Sequence, residues 1–373
     1  MKLARFTVCG FRNFKKPVTI DFTAVHDYHF NTECVDEGLL AKLGIYGPNG
    51  SGKTNLGIAL FDIVLLLSDK FVANEIRSAG NFLNLDKKTD SASFVYEFRK
   101  GMDTYVFSYN KDADEALIKE SLSVNGTVIY DYDFSEKKFA VLKTGNAINR
   151  KLNFEYFDGR LSVLRYIANN SVQKEDSPIR LIMDFVNHML WFRSVRQNSF
   201  VGLDTWVTNL DDWIIKNGLI KDFNQFLKNV CNIDIELASA TSAENTQVLV
   251  ENHKNGKVLF SRVASSGTVA AELFYFWMKR FNEVSLLFMD EFDAYYHFEL
   301  ARKIIEILKN YPQMQVIFTT HNTALMGNNI LRPDCYLIIS NGELKPYPEC
   351  AGGKEIREGH NLEKIYRNGG LNV

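Results

Sequence analysis

Cysteine is scarce and unpatterned in this 373-residue chain. Cys9, Cys34, Cys231, Cys335 and Cys350 form no C-x-x-C pair, so neither a zinc site nor a disulfide framework is suggested, and a reducing, cytoplasmic setting is expected. Long apolar runs are also missing. A run such as Ile63-Val-Leu-Leu-Leu67 falls far short of the ~20 residues that cross a bilayer, so no membrane partner is expected. The N-terminus alternates like a strand and has no apolar signal core. There is no excess of positive charge either. A formal net charge of −2 gives no global attraction to DNA phosphates, which leaves only local patches. The best patch is Lys137, Lys138, Lys143, Arg150 and Lys151, and a solvated hairpin face explains it better than a nucleic-acid contact. No heptad is sustained over several turns, so a coiled-coil arm is absent, and no internal repeat stands out.

What the chain does have is a hydrophobic content of 46%, enough for a full core, and one dense motif. Gly47-Pro48-Asn49-Gly50-Ser51-Gly52-Lys53-Thr54 matches the phosphate-loop pattern G-x-x-x-x-G-K-S/T with nothing missing. Lys42–Tyr46 before it reads as a short buried strand, and Asn55–Leu67 after it as a helix, which is the context the motif requires. The physics is that of an anion cradle. A Gly-rich turn lets successive N–H groups converge on phosphates at a helix N-terminus. Lys53 then reaches the outer phosphates and the Thr54 hydroxyl ligates Mg²⁺. The motif implies a nucleoside triphosphate.

Three further segments follow downstream. Ser285–Asp290 is an apolar run ending in Asp290 and Glu291. Asp290 is placed to hold Mg²⁺ through water and Glu291 to polarise an attacking water as general base. A strand that merely stops at two solvated acids would look the same. Gln315–His321 is a second such run, and His321 could donate to a terminal phosphate or be an ordinary surface histidine at a strand end. Ser265, Ser266 and Gly267 precede a helical stretch over Val269–Phe281, a second candidate anion site, although Ser-Ser-Gly is also common loop chemistry.

Taken in order, phosphate loop, serine–glycine helix start, Asp-Glu strand end and His strand end resemble the ABC-type ATPases, in particular their RecF/SMC-like branch. The likeness is strongest to short ATPases of bacterial anti-phage and abortive-infection systems, the AAA-15/AAA-21 group related to the OLD proteins. It rests on Asp290-Glu291-Phe-Asp293-Ala-Tyr-Tyr-His297, on Thr319-Thr320-His321-Asn322 and on the corner Gly10-Phe11-Arg12-Asn13-Phe14, and covers roughly the first 70 and last 110 residues. The resemblance implies an α/β phosphate-loop NTPase, an ABC-ATPase-like head with a mixed central sheet, an antiparallel β lobe and a helical insert. It implies ATP and Mg²⁺, hydrolysis to ADP and phosphate, and a homodimer or higher homo-oligomer. In that assembly Lys53, Thr54, Asp290, Glu291 and His321 of one subunit would face Ser265 and Gly267 of the other. It also implies a separate effector, a nuclease or toxin. A RecF-like DNA clamp and a slow-hydrolysing ATP-bound scaffold are the alternatives. On this reading residues 1–135 form an N-terminal lobe with the phosphate loop, 136–245 an inserted β/helical lobe, and 246–373 a C-terminal lobe.

Two departures stand out. No glutamine lies between Thr54 and Gln173, so the usual Mg²⁺-contacting glutamine is missing, and Glu97 or Asp103 are the substitutes to consider. The serine segment reads Ser-Ser-Gly-Thr where the group has Ser-Gly-Gly-Gln. The tail after His321 leaves no room for a toprim nuclease, so no effector chemistry is assigned to the chain; Gly359-His360-Asn361-Leu362 could be a partner-docking tail, but helix capping accounts for it better.

Along the rest of the chain, residues 1–25 read as two strands turning near Lys15-Lys16-Pro17, and Phe22–Leu40 as a loop. Val72–Asp90 reads as helical and then irregular. Phe94–Phe98, Thr104–Tyr109 and Glu120–Tyr132, with its Asn125-Gly126 turn, form a β-rich lobe. Apolar stripes predict helices over Pro178–Arg193 and Asn209–Cys231, strands over Ile233–Leu237 and Thr246–Ser261, a strand at Tyr336–Ser340 and a helix over Glu355–Arg367.

Overall fold

Alternation of buried and half-buried residues builds the first of two large sheets. Ala92, Phe94, Tyr96 and Phe98 point one way along Ala92–Lys100, and Tyr105, Phe107, Tyr109 and Lys111 do the same along Asp103–Lys111. The computed structural model describes the chain except residues 69–80, 87–88, 144–147, 149–151, 155–157, 194–198, 203–208, 243–244, 295, 353–355 and 372–373. In it this sheet has seven antiparallel strands, in the order Lys138–Leu142, Thr127–Asp133, Leu117–Val124, Asp103–Lys111, Ala92–Lys100, Lys2–Cys9 and Val18–Asp21. The Asn125-Gly126 hairpin forms where expected, with both residues at positive φ.

The second sheet also has seven strands: Ser199–Gly202, Met189–Arg193, Leu286–Asp290, Gln315–Thr320, Lys42–Tyr46, Tyr336–Ser340 and Glu343–Pro346. Its inner strands are parallel and its two edge strands antiparallel. Leu286–Asp290, Gln315–Thr320 and Lys42–Tyr46 are buried at every position, as a parallel sheet covered on both faces demands. Because these strands share a direction, their C-terminal ends lie along one edge. The loops after Tyr46, Asp290 and Thr320 therefore meet there.

The helix Lys53–Leu67 packs against both sheets. On one side Gly57 lies so close to Phe288 that an added Cβ would come within 2.6 Å of its ring. On the other, Tyr96 donates to the carbonyls of Ala59 and Leu60, and buried Asp62 accepts from Tyr109 Oη at 2.8 Å and Lys111 Nζ at 2.6 Å. Gln315 joins the sheets directly, its amide exchanging two hydrogen bonds with the backbone of Leu3. A three-stranded sheet (Leu237–Thr241, Gln247–His253, Gly256–Leu259) leads through a short helix, Phe260–Val263, into the helix Ser266–Met278. Among the described residues no helix is long and apolar enough to cross a membrane.

The α/β expectation holds, with local corrections. The stripe over Pro178–Arg193 is a helix only to Asn187; Met189–Arg193 is a strand parallel to Leu286–Asp290. Asn209–Cys231 is two helices, Leu210–Lys216 and Ile220–Asn229, separated at Asn217-Gly218 where Gly218 has φ 66. The strand expected at Ile233–Leu237 begins at Leu237, and Phe260 and Ser261, expected in a strand, open a helical turn. Phe22–Leu40 contains a 3-10 turn and a small two-stranded ladder. The last helix starts only at Leu362, with Asn361 capping it through Lys364 N–H. Most of the Val72–Asp90 segment, and Arg150 and Lys151 of the basic patch, lie outside the described residues.

Candidate functional site

The phosphate loop runs from buried Gly47 through exposed Pro48, Asn49 and Gly50 to half-buried Ser51, Gly52 and Thr54. Gly52 is the N-cap of the helix Lys53–Leu67, with φ 104 and no side-chain cap, so the first-turn N–H groups are left to the loop. A Cβ at Gly52 would sit 2.2 Å from Asn13 Nδ2. Asn13 is part of a clamp: its Nδ2 donates to Ser51 O (3.3 Å), its Oδ1 accepts from Asn55 Nδ2 (2.8 Å), and Arg12 Nη1 donates to Asn55 Oδ1 (3.0 Å). The Gly10–Phe14 corner is closed by Gly10 N–H to Phe14 O and Phe14 N–H to Phe11 O. It thereby holds the loop from the antiparallel sheet.

Lys53 lies across the mouth. Its ammonium donates to Gly47 O at 2.8 Å and Pro48 O at 3.0 Å, and approaches His321 Nδ1 at 3.4 Å. Burial pulls its pKa below the usual lysine range, while the charges of Glu291 and then Asp290 pull it back up. An ammonium can only donate, so Nδ1 is the accepting nitrogen and the His321 proton sits on Nε2. Nε2 faces Glu291 Oε1 at 3.6 Å. Asp290 is buried and accepts from Thr319 Oγ1 at 2.9 Å. Glu291 follows in the left-handed region, φ 46, its N–H donating to the same Thr319 oxygen at 2.8 Å.

The structure thus brings Lys53, Asp290, Glu291 and His321 into one cluster beside the loop and Thr54. The donors fit a magnesium–nucleotide: hard oxygens from Thr54 and Asp290 suit Mg²⁺, which binds one or two carboxylates together with substrate phosphates. The uncapped helix start and Lys53 suit the phosphates themselves.

Ser265, Ser266 and Gly267 do not join this cluster through any observed hydrogen bond. Ser265 and Ser266 are exposed, and Ser265 Oγ accepts Thr268 N–H at 3.2 Å and pairs with Thr268 Oγ1 at 2.9 Å. The helix begins at Ser266, three residues before the expected Val269, because this cap fixes its start. Deeper along it, buried Glu272 meets Asp211 of the helix Leu210–Lys216. Burial, then the Asp211 charge and their shared hydrogen bond, push the Glu272 carboxyl up to about 9.

The two candidate glutamine substitutes sit elsewhere. Glu97 pairs with Arg5 at 3.3 Å on the antiparallel sheet, and Asp103 accepts from Asn125 Nδ2 at 2.8 Å at a hairpin end. Gln173 bonds Ser171 and Ser177. Sequence reasoning did not single out the clamp of Asn13 and Asn55 or the bridging role of Thr319. Asn13 and Thr319 lie within the motifs quoted above, yet nothing in their local pattern says which residues they meet.

Comparison with known proteins adds the family. No curated protein matches the chain. Among solved structures the chain is similar to an SMC head domain from Thermotoga maritima, at 16% identity over 93% of this chain and 99% of that one, with a TM-score of 0.44. It is also similar to an Smc head bound to the C-winged helix domain of ScpA (15% identity, 92% and 96% covered, TM-score 0.48). A third is an Smc head with an extended coiled coil bound to the C-terminal domain of ScpA derived from Pyrococcus furiosus (12%, 92% and 95%, TM-score 0.46). A family model described as "AAA domain, putative AbiEii toxin, Type IV TA system" matches residues 43–327. That span takes in the phosphate loop, the serine–glycine helix, the acidic pair, His321 and the middle of the chain that the motif resemblance leaves uncovered. With most of its length matched, the chain belongs to this AAA domain family.

Proposed function

We propose that the protein binds and hydrolyses ATP with Mg²⁺ at the C-terminal edge of its parallel sheet, and that two copies close face to face around the nucleotide. The observation that supports this reading best is the chain of contacts from Lys53 through His321 to Glu291, with Asp290 alongside. Bound Mg²⁺ would supply charge neutralisation at the β- and γ-phosphate oxygens. Thr54 and Asp290 would hold it, and the loop amides with Lys53 would hold the phosphates. Glu291, half-buried and next to the acid, would take a proton from the attacking water at its carboxylate. His321, its Nε2–H directed toward Glu291, would sense the terminal phosphate. Positioning and charge stabilisation supply most of the catalysis in sites of this kind. The exposed hydroxyls of Ser265 and Ser266, with Gly267, would complete the site of a second copy. Nucleotide-driven closure and reopening of the pair would then regulate a separate nuclease or toxin in anti-phage defence, in the cytoplasm.

The test is turnover by purified protein with Glu291→Gln as control. The substitution should lower the rate by roughly a hundredfold or more while ATP still binds. An unchanged rate with intact binding would remove Glu291 from the role of base. A second reading, a scaffold that keeps ATP and rarely cleaves it, is favoured by one observation: Glu97 and Asp103 are both engaged away from the loop. Wild-type turnover as slow as that of Glu291→Gln would favour it.

A further inference from the structure

The turn that carries the two acids is tied to the neighbouring strand by the side chain of Thr319. Thr319, fully buried in Gln315–Thr320, donates its hydroxyl proton to Asp290 Oδ1 at 2.9 Å and accepts Glu291 N–H at 2.8 Å. A hydroxyl has one proton and two lone pairs, so these bonds use it in complementary senses and fix its rotation. Its carbonyl takes the next amide as well, Phe292 N–H at 3.3 Å. Two successive amides of the turn are therefore anchored on one residue.

Glu291 needs such an anchor. Its φ of 46 is in the left-handed region, where the Cβ of an L-residue crowds the following carbonyl oxygen. Conformations of this kind persist where the surroundings over-determine them. The same strand ends one residue before His321, so the residue that shapes the acidic turn also stands two positions from the histidine facing Glu291 Oε1.

We propose that Thr319 is a positioning residue for the reaction: it aims the Asp290 carboxylate and holds Glu291 in the turn that sets its carboxylate against His321. The inference rests on the reading of this cluster as an ATP-hydrolysing site. A purely architectural role would need only a β-branched residue in a buried strand, and valine supplies that without the hydroxyl.

Thr319→Val and Thr319→Ser separate the two roles. In steady-state assays Thr319→Val should lower kcat roughly tenfold to a hundredfold, the range seen when partners of metal and catalytic ligands are removed. KM for ATP should stay within about twofold, because the loop and Lys53 are untouched. Mg²⁺ titrated onto the protein with bound non-hydrolysable nucleotide should bind about tenfold more weakly. In nucleotide-free protein the Glu291 amide should exchange its hydrogen faster. Thr319→Ser, which keeps the hydroxyl, should restore all three. Thr319→Ala replaces the valine variant if that does not fold. Unchanged kcat, Mg²⁺ affinity and Glu291 exchange in Thr319→Val would overturn the proposal, as would equal losses in the serine variant. Should the wild-type protein bind nucleotide without turning it over, the hydrolysis reading falls, and the Mg²⁺ and exchange measurements still decide for or against Thr319. Should it bind no nucleotide, both fall.

Discussion

Two helices begin at segments that the sequence marks for anions, and they begin in opposite ways. Lys53–Leu67 starts at Gly52 with no side chain over its end, a lysine across the mouth and Asn13 bracing the loop from outside. Ser266–Met278 starts at Ser265, which spends its hydroxyl on its own helix and faces solvent. An open end braced by the rest of the chain is a binding site within one molecule. A self-capped, outward one has little to offer inside its own chain and a polar edge to offer outside it. The interiors differ too: Asp62 in the first helix is matched by Lys111, whereas Glu272 in the second is faced by another carboxyl.

The largest effect that would break this comparison is on nucleotide affinity. Lys53→Ala should weaken binding by roughly tenfold to a hundredfold, the worth of hydrogen bonds to a charged group. Ser265→Ala should leave single-chain affinity within about twofold, losing about 1 kcal/mol of cap stability and with it ATP-dependent self-association. Fluorescent-nucleotide titration and light scattering read the two outcomes. Equal losses of affinity in both variants would mean that the two helix ends serve one chain.

Asn13→Ala sharpens the bracing. It removes two hydrogen bonds, one with Ser51 O on the loop and one with Asn55 Nδ2 in the first turn of the helix, so affinity should fall about fivefold to tenfold, near 1 kcal/mol. The helix content by circular dichroism should not change. The last test concerns the interiors. The folded protein holds the Glu272 proton up to about 9, where an unfolded chain releases it near the usual 4.5. This group's contribution to stability is therefore full below about pH 4.5, declines as pH rises, and is gone above about pH 9. Glu272→Gln should flatten that decline, measured by urea unfolding at several pH values. A wild-type decline unchanged in the variant would show that other groups carry it.

Much of the fold was legible because the nucleotide sheet speaks in short apolar runs bounded by loop chemistry. Lys42–Tyr46 and Tyr336–Ser340 emerge with the bounds the sequence suggests. The same grammar misleads at Met189–Arg193, since Met-Leu-Trp-Phe continues a helical stripe as readily as it makes a buried strand. Only its pairing beside Leu286–Asp290 decides, and that is a long-range fact. The site divides in the same way. The motif residues themselves are readable from spacing, because phosphate chemistry fixes their order. Asn13 meeting Ser51, or Thr319 meeting Asp290, depends on which strands become neighbours, and no local pattern encodes it.

Gly57 carries a consequence for the spacing of the whole site. A glycine inside a helix weakens it by about 1 kcal/mol relative to alanine, yet here it lets the helix settle directly onto the ring of Phe288. Phe288 lies two positions upstream of Asp290 and Gly57 four downstream of Lys53, so one missing methyl gauges the gap between cation and acid. A single carbon added there would act as a shim, prising the phosphate cradle away from the acidic turn while leaving every reactive group in its place in the sequence.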